Sequence, residues 1–115
     1  MKSDSKIIII KLCIFMMIVD RDIDDLEINE ILEITKHKLN FEIEDEKFIS
    51  LIHDVSSDLY SRDTPYMINK LSYGLVSASE KKLAIECLEM VMKSDGIKRG
   101  AEKNLIKELV SKWNL

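Results

Sequence analysis

Glycine and proline are scarce in this sequence, which has three glycines and one proline in 115 residues. A sandwich or barrel of short strands needs many tight turns, and these two residues supply most of them. The hydrophobic fraction of 46% is too high for a disordered chain, and the charged fraction of 33% is too high for a protein with several membrane spans. The composition therefore favours a compact, mostly helical domain.

Motifs for cysteine-based metal or redox chemistry are also absent from the sequence. The two cysteines, Cys13 and Cys87, lie in separate apolar segments without a CxxC pair, so we expect buried, reduced thiols in a cytoplasmic protein. His37 and His53 have no acidic or cysteine partner at ligand spacing, and we expect them at the surface or at the edge of the core. Because no glycine-rich phosphate loop or nucleophile motif is present, the chain is predicted not to be an enzyme.

An excess of basic charge is the third feature that the chain lacks. It has 21 acidic residues against 17 lysines and arginines, a net charge of -4, so we expect no nucleic-acid partner.

The long apolar run, residues 7–19, is too short to span a bilayer and contains Lys11. Acidic residues follow it where a signal peptide would have small ones. We expect a core helix without membrane insertion, and a signal or anchor segment is the alternative.

Hydrophobic periodicity predicts six helices joined by short polar segments. Asp63 before Pro65 is a helix start signal, and Ser77 and Glu80 have the spacing of a capping box. The predicted helices cover residues 5–19, 25–38, 44–60, 64–73, 78–93 and 100–113. Since no linker or low-complexity tract divides the chain, residues 1–115 are predicted to form one all-α bundle.

The two ends of the chain repeat each other at an offset of 75 residues. Between positions 10 and 34, seven of 25 residues are identical to their partners, where chance would give about one or two. This repeat predicts two helical hairpins related by approximate two-fold symmetry, each with an acidic loop at its bend. The identical pairs are Ile10/Ile85, Met17/Met92, Asp20/Asp95, Glu27/Glu102, Asn29/Asn104, Ile31/Ile106 and Glu33/Glu108.

Each repeat has an apolar helix, then an aspartate, and a glutamate seven residues later at the start of the next helix. The pairs are Asp20 with Glu27 and Asp95 with Glu102. These segments resemble the two halves of a TerB-like domain, the all-helical module named for bacterial tellurite-resistance proteins, and the resemblance covers nearly the whole chain. It implies that the two acidic segments lie near one another and form a metal-binding or interaction site to which these four residues belong.

Acidic residues are dense in the first loop, with six of them between positions 20 and 30. Several carboxylate oxygens are what Ca²⁺ or Mg²⁺ requires, and either cation is the expected cofactor. An EF-hand loop can be tested by counting Asp20 as its position 1. It is excluded, because position 6 is then Asp25 instead of glycine and position 12 is Ile31 instead of glutamate. The predicted metal ligands are Asp20, Asp22, Glu27, Asp95 and Glu102.

Helix capping is the alternative explanation for these acids. Asp24 and Glu27 have N-cap to N3 spacing, from which each can accept a backbone N–H. For Glu102 three interpretations stay open: a salt bridge, a contact with a backbone N–H, and membership of a binding site. Asp20 and Asp95 follow predicted helix ends, where a carboxylate is unfavourable towards the helix dipole, so their recurrence favours a shared site.

We predict a non-enzymatic, stress-related module that binds a protein partner or a divalent cation. The alternative is a structural or interaction domain without metal.

Overall fold

The computed structural model describes residues 2–19, 25–94 and 100–115. These ranges form six α-helices and contain no strand, which confirms the predicted all-α class. The radius of gyration of 12.8 Å is close to the roughly 13 Å expected of one compact domain. The helices are α1 (Ser3–Val19), α2 (Asp25–Glu33), α3 (Asp45–Ser61), α4 (Thr64–Ser72), α5 (Ala78–Lys93) and α6 (Gly100–Trp113), and a π-helical turn (Ile34–Lys38) continues α2.

Helix α1 is the centre of the bundle and packs against each of the other five helices. It is apolar on nearly all sides, as a helix surrounded by partners must be. The predicted core helix is therefore confirmed. In the described part of the chain, no helix is both long and apolar enough to cross a membrane. The buried hydrophobic residues of α1 are Ile9, Ile10, Leu12, Cys13, Ile14, Phe15, Met16 and Met17.

Helices α1 and α5 lie side by side and run in the same direction. Near their beginnings, the Ser5 hydroxyl donates to the Glu80 carboxylate. Further along, Cys13 lies close enough to Cys87 for a charge on Cys87 to raise the Cys13 pKa. Both pairs have nearly the sequence separation of the 75-residue repeat, and a constant separation along two packed helices means that they are parallel. Helices α1 and α5 therefore both end at the same end of the bundle.

The remaining helices of the two hairpins pack crosswise. Helix α2 follows α1 in the chain and packs against α5 as well, while α6 follows α5 and packs against α1 as well. This reciprocal arrangement is the one that two hairpins related by a two-fold axis would adopt. Helices α3 and α4 contact each other and cover another side of α1.

Two helix starts that the sequence predicts are present. The Asp63 carboxylate accepts the backbone N–H of Tyr66 at 2.9 Å before α4, and the Ser77 hydroxyl oxygen accepts that of Glu80 at 3.2 Å before α5. Each side chain satisfies a backbone donor that has no partner within its helix. Gly96 follows the predicted helix 78–93, where a glycine favours a left-handed C-cap, but it lies outside the described residues.

The end of the predicted helix 25–38 differs from a regular α-helix. The Leu39 N–H donates to the Ile34 carbonyl at 2.9 Å, five residues back, so the last turn is π-helical. The Thr35 hydroxyl donates to the Ile31 carbonyl at 2.8 Å, a side-chain contact that often accompanies a bend in a helix. Asn40 follows with a φ of 50°, a left-handed conformation that asparagine tolerates, and turns the chain towards α3.

Candidate functional site

The repeat-matched glutamates occupy equivalent positions in the two hairpins. Glu27 is the third residue of α2 and Glu102 is the third residue of α6. Both side chains are 1% exposed. A glutamate is almost never fully buried unless it has compensating interactions, so the burial of the same residue in both halves distinguishes this pair from the other acids that the structure describes.

Glu80 shows that the third helix position does not itself require burial. It is the third residue of α5 but remains partly exposed. The hydroxyls of Ser5 and Ser77 donate to its carboxylate and lower the Glu80 pKa, as hydrogen bonds to a charged form do. Glu80 is thus an ordinary capping residue, whereas Glu27 and Glu102 are enclosed by the surrounding helices.

The parallel course of α1 and α5 locates Glu27 and Glu102 within the fold. Helix α1 ends at Val19 and α2 begins at Asp25, while α5 ends at Lys93 and α6 begins at Gly100. Because α1 and α5 end at the same end of the bundle, the starts of α2 and α6 are brought to that end too. We call it the loop end, defined by Val19, Lys93 and the first turns of α2 and α6.

Three of the five predicted metal ligands lie outside the described residues, namely Asp20, Asp22 and Asp95, as does the predicted cap residue Asp24. Within the described ranges, no group of three or more histidine, cysteine, aspartate or glutamate side chains could hold a metal ion. Glu27 and Glu102 supply carboxylate oxygens, the donor type that Ca²⁺ and Mg²⁺ prefer. A cation at the loop end would therefore need aspartates of the two loops in addition to these glutamates.

The two histidines lie away from the loop end. His53 is exposed on α3. His37 lies in the π-helical turn, where its Nε2 is 3.1 Å from the Glu33 carboxylate. The expectation that His37 lacks an acidic partner is therefore wrong, since Glu33 is four residues earlier and faces the same side of the helix. Both side chains of this pair are largely exposed, so it contributes little to stability.

The cysteines are buried and reduced, as predicted. Burial raises the pKa of the Cys13 thiol well above its ordinary value, with a smaller contribution from Cys87. Burial raises the pKa of Cys87 to about 12, and the nearby charge of Glu86 acts in the same direction. Thiols that remain protonated are poor nucleophiles and poor metal ligands, so these two residues belong to the core.

No protein-family model, curated protein or solved structure matches this chain. The resemblance to a TerB-like domain therefore rests on the residues of the two repeats alone.

Proposed function

We propose that this chain is a non-enzymatic interaction module that binds a divalent cation, Ca²⁺ or Mg²⁺, or a basic protein partner at its loop end. The surface would consist of the two acidic loops, with Asp20, Asp22 and Asp95 joining Glu27 and Glu102. A stress-related role is what the TerB-like resemblance implies, and a cytoplasmic location agrees with two reduced cysteines.

The burial of Glu27 and Glu102 is the observation that carries this proposal. Removing a carboxylate from water is unfavourable unless donors, a cation or a proton compensates for the lost hydration. A single buried glutamate could be an isolated feature of packing. Burial to 1% at both repeat-related positions instead supports one arrangement that uses both halves of the protein.

Calorimetry tests the cation-binding part of the proposal. We expect Ca²⁺ or Mg²⁺ to bind the wild type and not the Asp20→Asn/Asp95→Asn variant. Glu42→Gln/Glu44→Gln is the matched control, because it makes the same change in net charge at two exposed residues before α3. If the wild type binds neither cation at millimolar concentration, the cation site is wrong and binding of a basic partner is the part of this proposal that remains.

A purely structural or protein-interaction role without metal is the second candidate. The observation that favours it is the place of Glu27 and Glu102 at the third helix position, from which a glutamate can accept the N-cap N–H. Glutamine can make this contact too. The structural role therefore predicts that Glu27→Gln/Glu102→Gln has nearly the wild-type melting temperature and that added Ca²⁺ or a chelator changes neither protein.

A further inference from the structure

A groove lies at the end of the bundle where α5 begins and α6 ends. Its volume is about 360 Å³. Leu75 and Trp113 form its buried apolar floor. The Trp113 indole N–H donates to the Ser72 carbonyl at 3.2 Å, which fixes the ring in place. We call this the Tyr73 groove, defined by Tyr73, Leu75, Val76, Lys81, Lys112 and Trp113.

Two apolar side chains of the Tyr73 groove project into water. Tyr73 is 79% exposed and Val76 is 82% exposed, although Leu75 between them is buried. Exposed apolar groups that adjoin an apolar floor are typical of interaction sites, and tyrosine is enriched where binding energy is concentrated. The shape therefore favours insertion of an apolar side chain over the floor.

The charge of the Tyr73 groove is opposite to that of the whole chain. Lys81 and Lys112 line it, and none of the described residues that line it is acidic. The Lys112 ammonium lies 5.9 Å from the centre of the Tyr73 ring and donates to the Asn69 side-chain oxygen, so both interactions hold it at the edge of the groove. An adjoining groove that shares Val76 contains Lys2 and also Glu80, whose carboxylate accepts from the hydroxyls of Ser5 and Ser77.

We propose that the Tyr73 groove binds an acidic peptide segment of a partner protein. An apolar side chain of that segment would pack between Tyr73 and Val76 on Trp113, and neighbouring carboxylates would pair with Lys81 and Lys112. The recessed apolar floor favours a peptide over a lipid surface, because a groove of about 360 Å³ has room for inserted side chains.

This site is distinct from the loop end. The Ser5–Glu80 contact marks the starts of α1 and α5, and the loop end follows their other ends. Helix α1 has 17 residues, which corresponds to about 25 Å at 1.5 Å per residue. The basic groove and the loop end therefore lie at opposite ends of the bundle, and the groove does not depend on the proposed cation site.

Fluorescence anisotropy tests the proposal with a labelled peptide in which leucine alternates with pairs of glutamates. We expect the wild type to bind it, and Lys81→Glu/Lys112→Glu to bind at least about tenfold more weakly. Tyr73→Ser/Val76→Ser should weaken binding to a similar degree. Because both variants change only side chains that line the surface groove, we expect circular dichroism to show the fold of the wild type. Added salt should weaken binding, because the lysines are accessible to ions.

The control variant is Lys47→Glu/Lys107→Glu, which makes the same charge change at two exposed lysines outside the groove and should bind like the wild type. The proposal is overturned if the peptide does not bind at about 1 mM protein or if the control weakens binding as much as the groove variant. Binding to phosphatidylglycerol vesicles without binding to the peptide would also overturn it, in favour of a lipid surface.

Discussion

Three glutamates at the third position of a helix allow the contribution of burial to be measured within one protein. Glu27 and Glu102 are 1% exposed, whereas Glu80 is partly exposed. Loss of an exposed contact at a helix start costs about 1 kcal/mol, but a buried hydrogen bond to a charged group contributes about 1.5–3 kcal/mol. We therefore expect Glu27→Ala and Glu102→Ala each to lower the free energy of unfolding by about 2–3 kcal/mol, and Glu80→Ala by about 1 kcal/mol at most.

Thermal and urea unfolding followed by circular dichroism measure these differences. For a domain of this length, a loss of 1 kcal/mol corresponds to roughly 4 °C in Tm. The Tm should therefore fall by about 8–12 °C in the variants at the two buried positions, and by about 4 °C or less in the variant at the partly exposed position. All variants should be compared in a chelator first, so that a bound cation does not contribute.

Equal losses at all three positions would refute the reasoning, because burial would then contribute nothing beyond an ordinary cap. If Glu27→Ala lowered the free energy of unfolding and Glu102→Ala did not, the result would contradict the equivalence of the two hairpins. Added cation provides a second measurement. A ligand at one hundred times its Kd stabilises the folded state by about 2.7 kcal/mol, and this gain should disappear in Glu27→Gln/Glu102→Gln if the loop end binds the cation.

Three further predictions concern the rest of the bundle. Gly74→Ala should destabilise the protein by about 1 kcal/mol at most, because the added Cβ would overlap Ile8 Cδ1, the end of a flexible side chain that can move aside; thermal unfolding measures the loss. Asp63→Ala should cost about 1 kcal/mol in urea unfolding, because the cap on Tyr66 is removed. The raised pKa of Cys87, about 12 against an ordinary 9.0, means that the unfolded chain loses its thiol proton first. The stability that protonation provides below about pH 9 should therefore fall as the pH rises towards 12, measured by urea unfolding across that range.

Each of these predictions has its own control. Ile8→Val removes the atom that Gly74→Ala would meet, so the combined variant should recover most of the loss, and no recovery would contradict the steric explanation. Asp63→Ser keeps a capping oxygen and should remain close to the wild type. Cys87→Ala should show a shallower decline above about pH 9, and an identical decline would show that the thiol is not responsible.

Much of the fold could be predicted from local sequence patterns. Phe48, Leu51 and Val55 recur at helical spacing and form the buried face of α3. Ser77 marked the start of α5 correctly. The π-helical turn was not predicted, since the apolar pattern of residues 25–38 is compatible with a regular helix, and the Leu39–Ile34 hydrogen bond departs from it only at the last turn.

The candidate sites were less accessible to sequence analysis. The repeat identified Glu27 and Glu102, but no sequence signal distinguished their burial from the partial exposure of Glu80. The Tyr73 groove had no signal at all, because Tyr73 follows α4 and Lys112 lies in α6, far apart in the chain. Side chains from distant segments become neighbours only when their helices pack.

By itself, the sequence determined the helical segments, their inward faces and the repeat, because periodicity and capping depend on residues within one or two turns. Tertiary structure decided what each helix packs against. It made the apolar run of α1 the centre of the bundle, and it enclosed Glu27 and Glu102. It also set α1 and α5 parallel, so that both helices end at the same end of the bundle. These properties depend on long-range packing, since burial is determined by the neighbours that a side chain acquires when the whole chain folds.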